Sequence, residues 1–308
     1  MSNGGSNQPR PTRNQQREAA REKARELREA QKKKERRNKF FLIGGVTVAV
    51  VLVIGLVIGV VVQNTKPAGP GPANMASNGI LLTGVDGVVT PVETKALAAD
   101  ADPIPTEQDD SGTVANIVVY VDYLCPFCGD FENTNGDAIR KMVEQGAATL
   151  ETHPLAILTN RSAGTQYSLR AANAAACVAD NSPETFLDFN ALLFANQPEE
   201  GSTGLTNDEL KGFVKEAGGA SSINECIDSK QFHGWVNNAT ERALTQPVPN
   251  SDLESIKGTP TVLVNGKQYV GSLTDPAEFQ SFVLQATGEA FSESTSTPSP
   301  TPTPTPAS

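Results

Sequence analysis

The sequence predicts an α/β domain that follows a single membrane-spanning helix. A β-branched apolar run at 116–121 leads through a short turn into a helical pattern over 129–145. A long helical tract follows, and the chain then returns to strand patterns before a last helix. Ahead of these segments, residues 40–62 form an apolar run without a charge. The order of the segments predicts a sheet whose strands lie on both sides of a helical insertion.

The apolar run Phe40–Val62 is long enough to cross a ~30 Å hydrocarbon core at ~1.5 Å rise per helical residue. Residues 1–39 carry 13 Lys/Arg and 5 Asp/Glu, a net +8, whereas the remainder carries −18 of a total −10. This asymmetry predicts a cytoplasmic arm, an uncleaved single-pass anchor in the cell membrane and an extracytoplasmic domain. A cleaved signal peptide is the alternative, although its apolar core is usually only about 7–15 residues long.

The basic arm has two interpretations. It is either a solvated segment that sets topology or a patch for anionic lipid headgroups. The acidic remainder argues against nucleic acid as a partner.

Changes in composition indicate the other boundaries. Residues 63–77 are rich in Pro, Gly and Asn and are expected to be a linker. The folded domain is predicted over 78–290, with its helical insertion at about 162–250. The Ser/Thr/Pro tail at 291–308 is expected to be disordered.

Further predicted elements are a hairpin or edge strand at 80–89, a strand at 150–158, helices beginning at Ser182 and at a Thr206–Glu209 capping box, and a last helix over 275–287.

The main chemical feature is the pair Cys125 and Cys128 at the start of a helix. Residues three apart in a helical turn lie on one face, so these sulfurs can form a reversible disulfide. Pro126 suits the first turn because the amide that it lacks would have no helical partner there. Free N–H groups and the helix dipole favour a thiolate at Cys125. We expect an exposed, nucleophilic Cys125 and a shielded, resolving Cys128. A strand–CxxC–helix context indicates redox chemistry more than a local thiol pair or half a zinc site.

Cys177 and Cys226 lie in the helical tract and complete a count of four cysteines. A structural disulfide between them, beside a separate CPFC pair, is the least strained of three pairings. Two buried free thiols are the alternative. No second close cysteine pair exists for a four-cysteine zinc site, so no metal is expected. His153 and His233 are expected to be ordinary surface or packing residues rather than partners in a Cys–His hydrolase.

A family resemblance follows from two stretches, Tyr123-Leu124-Cys125-Pro126-Phe127-Cys128 and Gly258-Thr259-Pro260-Thr261. Together with an Asn265-Gly266 hairpin and a last helix, they resemble the thioredoxin superfamily. The long helical tract between them resembles a DsbA-like thiol–disulfide oxidoreductase. The resemblance implies a thioredoxin-like fold with an inserted helical subdomain. It also implies that Pro260 is cis and packs against the CPFC turn, and that Thr259 presents its backbone to an extended substrate peptide.

Two positions depart from the family pattern. Phe127 stands between the cysteines, where the strongest oxidants of the family carry His. Val119 stands six residues before the first cysteine, where thioredoxins and many DsbA-like proteins place an acid. Asp122 is the nearest carboxylate, and it either substitutes for that acid or faces solvent.

The anchor and acidic domain resemble membrane-tethered family members of Gram-positive, especially actinobacterial, cells. The resemblance implies an enzyme that oxidises unfolded or reduced secreted proteins and needs no cofactor beyond its redox-active disulfide. A quinone-linked membrane reoxidase, DsbB-like or vitamin-K-epoxide-reductase-like, would recharge it. A reductase or isomerase on the same scaffold is the first alternative. A tethered binding module with a vestigial CPFC is the second, and the intact thiols count against it.

Overall fold

The computed structural model describes residues 69–99, 101–109 and 111–295. Six strands and seven α-helices are formed in the described residues: β1 (Ile80–Val85), β2 (Val88–Pro91), β3 (Ala115–Val121), α1 (Pro126–Glu144), β4 (Ala148–Pro154), α2 (Tyr167–Asn181), α3 (Phe186–Ala195), α4 (Asn207–Glu216), α5 (Ile223–Ser229), α6 (His233–Thr245), β5 (Thr261–Val264), β6 (Lys267–Gln268) and α7 (Pro276–Thr295). The mixed α/β class that the sequence predicted is confirmed.

The strands form one sheet in the order β2-β1-β4-β3-β5-β6. Strands β3 and β4 are parallel, with Ile117 opposite Leu150, and all other neighbours are antiparallel. Every residue of β3 is buried, which suits its β-branched composition because a central strand is covered on both faces. The turn that carries the cysteines therefore leaves the sheet at the end of a central strand.

Alternate residues of β3 pack into two different cores, as the period of a strand requires. Ile117 and Val119 belong to the main core, which includes α1 and the helical insertion. Val118 and Tyr120 belong to a smaller cluster on the opposite face, which includes Ile256. The main core lies on the side of the sheet from which the cysteine turn and the insertion are built.

The helical insertion comprises α2 to α6, within the predicted range. A Cys177–Cys226 disulfide joins α2 to α5, with an S–S distance of 1.98 Å and a Cα–Cα distance of 5.9 Å. The predicted pairing is thus confirmed. The Thr206–Glu209 capping box is also confirmed, because both of its reciprocal hydrogen bonds are formed.

Several predicted element boundaries were wrong. Strand β4 ends at Pro154 and not at residue 158. The helix expected at Ser182 begins instead with a 3-10 turn, Pro183–Thr185, and the Ser182 hydroxyl accepts a hydrogen bond from the amide of Ala220 at 3.0 Å. A distant backbone donor replaces the local cap that the sequence suggested.

The predicted limits of the folded domain were too narrow at both ends. Met75, which was assigned to the linker, is only 2% exposed, and the amide of Ala73 donates to Asp180 at 2.8 Å. The last helix continues to Thr295, so the first residues of the predicted tail are helical. At the N-terminal end, tertiary packing orders a segment whose composition is typical of a loop.

The predicted anchor, Phe40–Val62, and the basic arm before it lie outside the described residues. Within the described ranges, no helix combines the length and the apolar character needed to cross a membrane.

Candidate active site

The cysteine turn is built where β3 ends and α1 begins. Cys125 is the N-cap residue of α1 with extended backbone angles, and Pro126 occupies the first turn. The Cys125 carbonyl accepts hydrogen bonds from the amides of Cys128 at 3.0 Å and Gly129 at 3.2 Å. The two thiols are therefore three positions apart across the first helical turn, which is the geometry that the spacing predicted.

Both cysteines are free thiols and both are buried, although unequally. Cys125 keeps 6% of its surface exposed and Cys128 keeps none. Cys125 was predicted to be exposed, but little of its surface reaches solvent because the loop that carries Thr259 covers the side chain. The order of accessibility was correct, and an incoming thiol can meet only the Cys125 sulfur.

The loop before β5 forms the opposite wall of the site. The Thr259–Pro260 peptide bond is cis, the isomer that the resemblance implied. The Cys125 thiol donates a hydrogen bond to the Thr259 carbonyl oxygen at 3.1 Å. A backbone carbonyl so close to the sulfur places this loop beside any peptide that would be joined to Cys125.

The pKa values of the two thiols are shifted in opposite directions. A hydrogen bond from the Cys128 side chain is the largest of the effects that lower the pKa of Cys125 to about 7, with burial acting against it. Burial raises the pKa of Cys128 well above its ordinary value. Near neutral pH, Cys125 supplies thiolate while Cys128 remains a thiol, so the nucleophile and the resolving residue are distinguished electrostatically.

Asp122 lies beneath the cysteine turn and is fully buried. Its carboxylate accepts hydrogen bonds from the amides of Leu124 at 2.9 Å and Leu158 at 2.8 Å, and from the Ser168 hydroxyl at 2.7 Å. The interpretation that it faces solvent was therefore wrong. Burial raises its pKa to about 6, although these hydrogen bonds act in the opposite direction. The backbone amide of Asp122 donates to the Cys128 sulfur at 3.5 Å.

Sequence reasoning missed two polar residues near the turn. Gln197, in the loop after α3, donates hydrogen bonds to the carbonyls of Tyr123 and Cys125. No local pattern identifies it, because its partners are more than 70 residues away. Glu132 lies one helical turn after Cys128, and burial raises the pKa of its carboxyl to about 7. Its spacing from Cys128 could have identified it.

The other residues considered in the sequence are Phe127 and the two histidines, and neither histidine belongs to the cysteine site. Phe127 is 62% exposed beside the two sulfurs. His153 is buried, with its Nε2 atom 3.1 Å from the Glu151 carboxylate and its ring stacked on Tyr120. It is therefore a packing residue, as one of the two interpretations expected, and not a surface residue. Burial lowers the pKa of His233 to about 4. In the described part of the chain, no group of His, Cys, Asp and Glu is arranged to hold a metal ion.

Comparison of the sequence with known protein families identifies a family with this type of cysteine site. The thioredoxin family model matches residues 110–284, more than half of the chain. The chain belongs to the thioredoxin family. The sequence-based assignment to it is confirmed, and the match contains both the cysteine turn and the cis-proline loop.

Among solved structures, this thioredoxin-family chain is similar to DsbA from Mycobacterium tuberculosis in both redox forms. The oxidised form is 30% identical, covers 70% of this chain and all of that chain, and gives a TM-score of 0.50. The reduced form is 29% identical, covers 71% of this chain and 100% of that chain, and gives a TM-score of 0.51. The enzyme class predicted from sequence, a DsbA-like thiol–disulfide oxidoreductase, is confirmed.

A curated relative is the serine/threonine-protein kinase PknE of Mycobacterium tuberculosis, which is 30% identical over 117 residues. The match covers 37% of this chain, and the chain spans only 21% of the length of PknE.

Proposed function

We propose that the chain is an extracytoplasmic oxidase that introduces disulfides into secreted proteins through Cys125 and Cys128. The observation that carries the exchange chemistry is the asymmetry of the two thiols: Cys125 is the more exposed, at 6%, and has a lowered pKa, whereas Cys128 has no exposed surface and a raised pKa. Such a pair exchanges disulfides in a defined order without another cofactor.

In the oxidising direction, a substrate thiolate attacks the Cys125 sulfur of the Cys125–Cys128 disulfide. The S–S bond breaks, a substrate–Cys125 disulfide forms, and Cys128 leaves as a thiolate that takes up a proton. A second substrate thiolate then attacks the substrate sulfur of the mixed disulfide and releases Cys125 as a thiolate. The substrate loses two electrons and the dithiol gains them. The lowered pKa of Cys125 favours this last step, since a more acidic thiol is the better leaving group.

The walls of the site suit an unfolded substrate. Phe127 offers apolar surface beside the sulfurs, and the Thr259 loop offers backbone hydrogen-bonding groups. Unfolded or reduced secreted proteins are therefore the proposed substrates. Reoxidation would fall to a quinone-linked membrane enzyme, DsbB-like or vitamin-K-epoxide-reductase-like, that accepts the two electrons.

The proposed location depends on the sequence before the described residues. The basic arm and the apolar run Phe40–Val62 would orient the chain with its catalytic domain outside the cell membrane. An external domain meets no glutathione or thioredoxin pool that would keep it reduced. Protease added to intact spheroplasts should digest the catalytic domain and spare residues 1–39. Digestion of the arm alone would reverse the proposed orientation.

A reductase or isomerase is the second candidate, and one observation favours it. The Cys125 pKa of about 7 is close to that of thioredoxin, about 7, and well above that of DsbA, about 3.5. A less acidic thiol stabilises the reduced state less, so this dithiol would be a milder oxidant than the strongest family members.

The reduction potential discriminates between the candidates. The full-length protein should be equilibrated with glutathione buffers, and its dithiol quantified by alkylation and mass spectrometry. An oxidase requires a potential closer to that of DsbA, about −120 mV, than to that of thioredoxin, about −270 mV. The oxidised protein should also reactivate a reduced, unfolded disulfide enzyme faster than the reduced protein cleaves insulin. The opposite ranking with a potential near −270 mV would assign a reductase. Cys125→Ser should abolish both activities.

A further inference from the structure

Gln197 connects the helical insertion to the cysteine turn. Its Nε2 donates hydrogen bonds to the carbonyl oxygens of Cys125 at 2.9 Å and Tyr123 at 3.2 Å. Carbonyl oxygens only accept, so the amide must present its NH₂ group to them. One side chain from the insertion therefore holds the Tyr123–Leu124 and Cys125–Pro126 peptide units, the second of which begins α1.

On the basis of the proposed exchange chemistry, we propose that Gln197 is a positioning residue for the reaction at Cys125. Its amide holds the two carbonyls that flank Leu124 and thereby sets the position of the Cys125 sulfur relative to Cys128 and Thr259. It touches neither sulfur, and it acts through the backbone of the turn.

The first turn of α1 is not capped by its own side chains, although Asp122 accepts hydrogen bonds from the amides of Leu124 and Cys125 just before it. Cys125 makes no side-chain capping hydrogen bond, and the first turn contains no acidic residue. The Cys125 carbonyl already accepts from the first amides of the helix, so Gln197 adds a donor from outside the helix to the same oxygen. A rotation of this peptide unit would change the distance between the two sulfurs and the distance to the Thr259 carbonyl, which is 3.1 Å. Hydrogen bonds weaken steeply with such changes in geometry.

Gly129 provides the space that the Gln197 amide occupies. A Cβ atom at residue 129 would lie 2.2 Å from Gln197 Oε1 and 3.1 Å from its Cδ. Glycine is otherwise unfavourable inside a helix. A side chain at this position would push the amide away from the two carbonyls, so the two residues should behave as one unit.

The test measures the pH dependence of Cys125 alkylation by iodoacetamide in the reduced, full-length protein. Gln197→Ala should reduce the thiolate fraction of Cys125 at pH 7 by roughly threefold, because a displaced Cys125 sulfur would lose part of the hydrogen bond from the Cys128 side chain that lowers its pKa. Gln197→Met, which fills similar space without a donor, should give the same shift and serves if the smaller residue impairs folding. Asn196→Ala is the matched control, because Asn196 is exposed and its side-chain amide donates to the Leu192 carbonyl, one turn earlier in α3. It should leave the titration unchanged.

A double-mutant cycle separates positioning from general destabilisation. Gly129→Ala should reproduce the Gln197→Ala titration in the wild-type background and add nothing in the Gln197→Ala background, where the cavity accepts the methyl group. An unchanged Cys125 titration in folded Gln197→Ala and Gln197→Met would overturn the proposal, and so would additive effects of the two substitutions. Alkylation requires no exchange with a substrate. A wild-type protein that fails to exchange disulfides would therefore contradict the proposed function and leave this test valid.

Discussion

The hydroxyl of Ser168 donates a 2.7 Å hydrogen bond to the carboxylate of Asp122. Ser168 lies on α2, in the helical insertion, and Asp122 directly follows the central strand β3. The bond therefore joins the insertion to the turn that carries the cysteines. Both residues are completely buried, so the energetic effect of the carboxylate depends strongly on its protonation.

Asp122 should make the protein less stable as the pH rises from 4 to 7. Burial raises its pKa from 3.8 to about 6, so within this interval the folded state binds the proton more tightly than the unfolded state. The resulting cost vanishes well below pH 4, begins as the unfolded carboxyl ionises and reaches about 3 kcal/mol at pH 7. Denaturant unfolding of the reduced protein should show that the wild type loses about this amount relative to Asp122→Asn across the interval.

Ser168→Ala provides the control for this prediction. It removes a hydrogen bond that lowers the pKa of Asp122, so the loss of stability with rising pH should become larger. A difference between wild type and Asp122→Asn that stays constant from pH 4 to 7 would contradict the assignment of the raised pKa to Asp122.

Cys128→Ala should raise the pKa of Cys125 above its wild-type value of about 7. The hydrogen bond from the Cys128 side chain is the largest cause of the lowered value, and alanine has no donor. Cys128→Ser retains a hydroxyl donor and should give a smaller increase. The pKa is measured as the midpoint of the curve that relates the alkylation rate of Cys125 to pH. Equal midpoints in Cys128→Ala and wild type would show that the helix terminus, and not the neighbouring thiol, controls Cys125.

Phe127→His should make the dithiol more oxidising. Residue 127 is 62% exposed beside the two sulfurs, and an imidazolium there would stabilise the Cys125 thiolate and hence the reduced state. Equilibration with glutathione should show a larger reduced fraction than wild type, with the largest difference below pH 6.5, where an unperturbed His is charged. Phe127→Leu is the uncharged control and should follow wild type. A reduced fraction no larger than that of Phe127→Leu would refute a role for charge at this position.

Removal of the Cys177–Cys226 disulfide should lower stability without changing the active site. The bond closes a separation of 49 residues, and its loss should cost about 2–4 kcal/mol by chain entropy. Denaturant unfolding of the Cys177→Ala/Cys226→Ala double variant measures the loss, while its Cys125 alkylation should follow wild type. Because the lowered pKa of Cys125 makes it the better leaving thiol, mild reduction of oxidised wild type should free Cys125 and Cys128 first. Simultaneous labelling of all four cysteines would contradict the separation into a catalytic and a structural pair.

Features that depend on short segments could be predicted from the amino-acid sequence. The central strand, the CPFC turn at the start of a helix, the Thr206–Glu209 capping box and the mixed α/β class all follow from periodicity, spacing and turn chemistry, which act within a few residues. The pairing of Cys177 with Cys226 also followed, because only four cysteines exist and two of them are already neighbours.

The environment of each functional group could not be predicted in this way, because it depends on contacts made in the packed fold. The burial of Asp122, the covering of Cys125 by the Thr259 loop and the approach of Gln197 to the Cys125 carbonyl all join residues far apart in the chain. Composition predicts that an isolated Asp or Gln is solvated, since such residues are mostly exposed. Desolvation and hydrogen bonding, which set the pKa of each group, depend on neighbours that only the packed fold brings together.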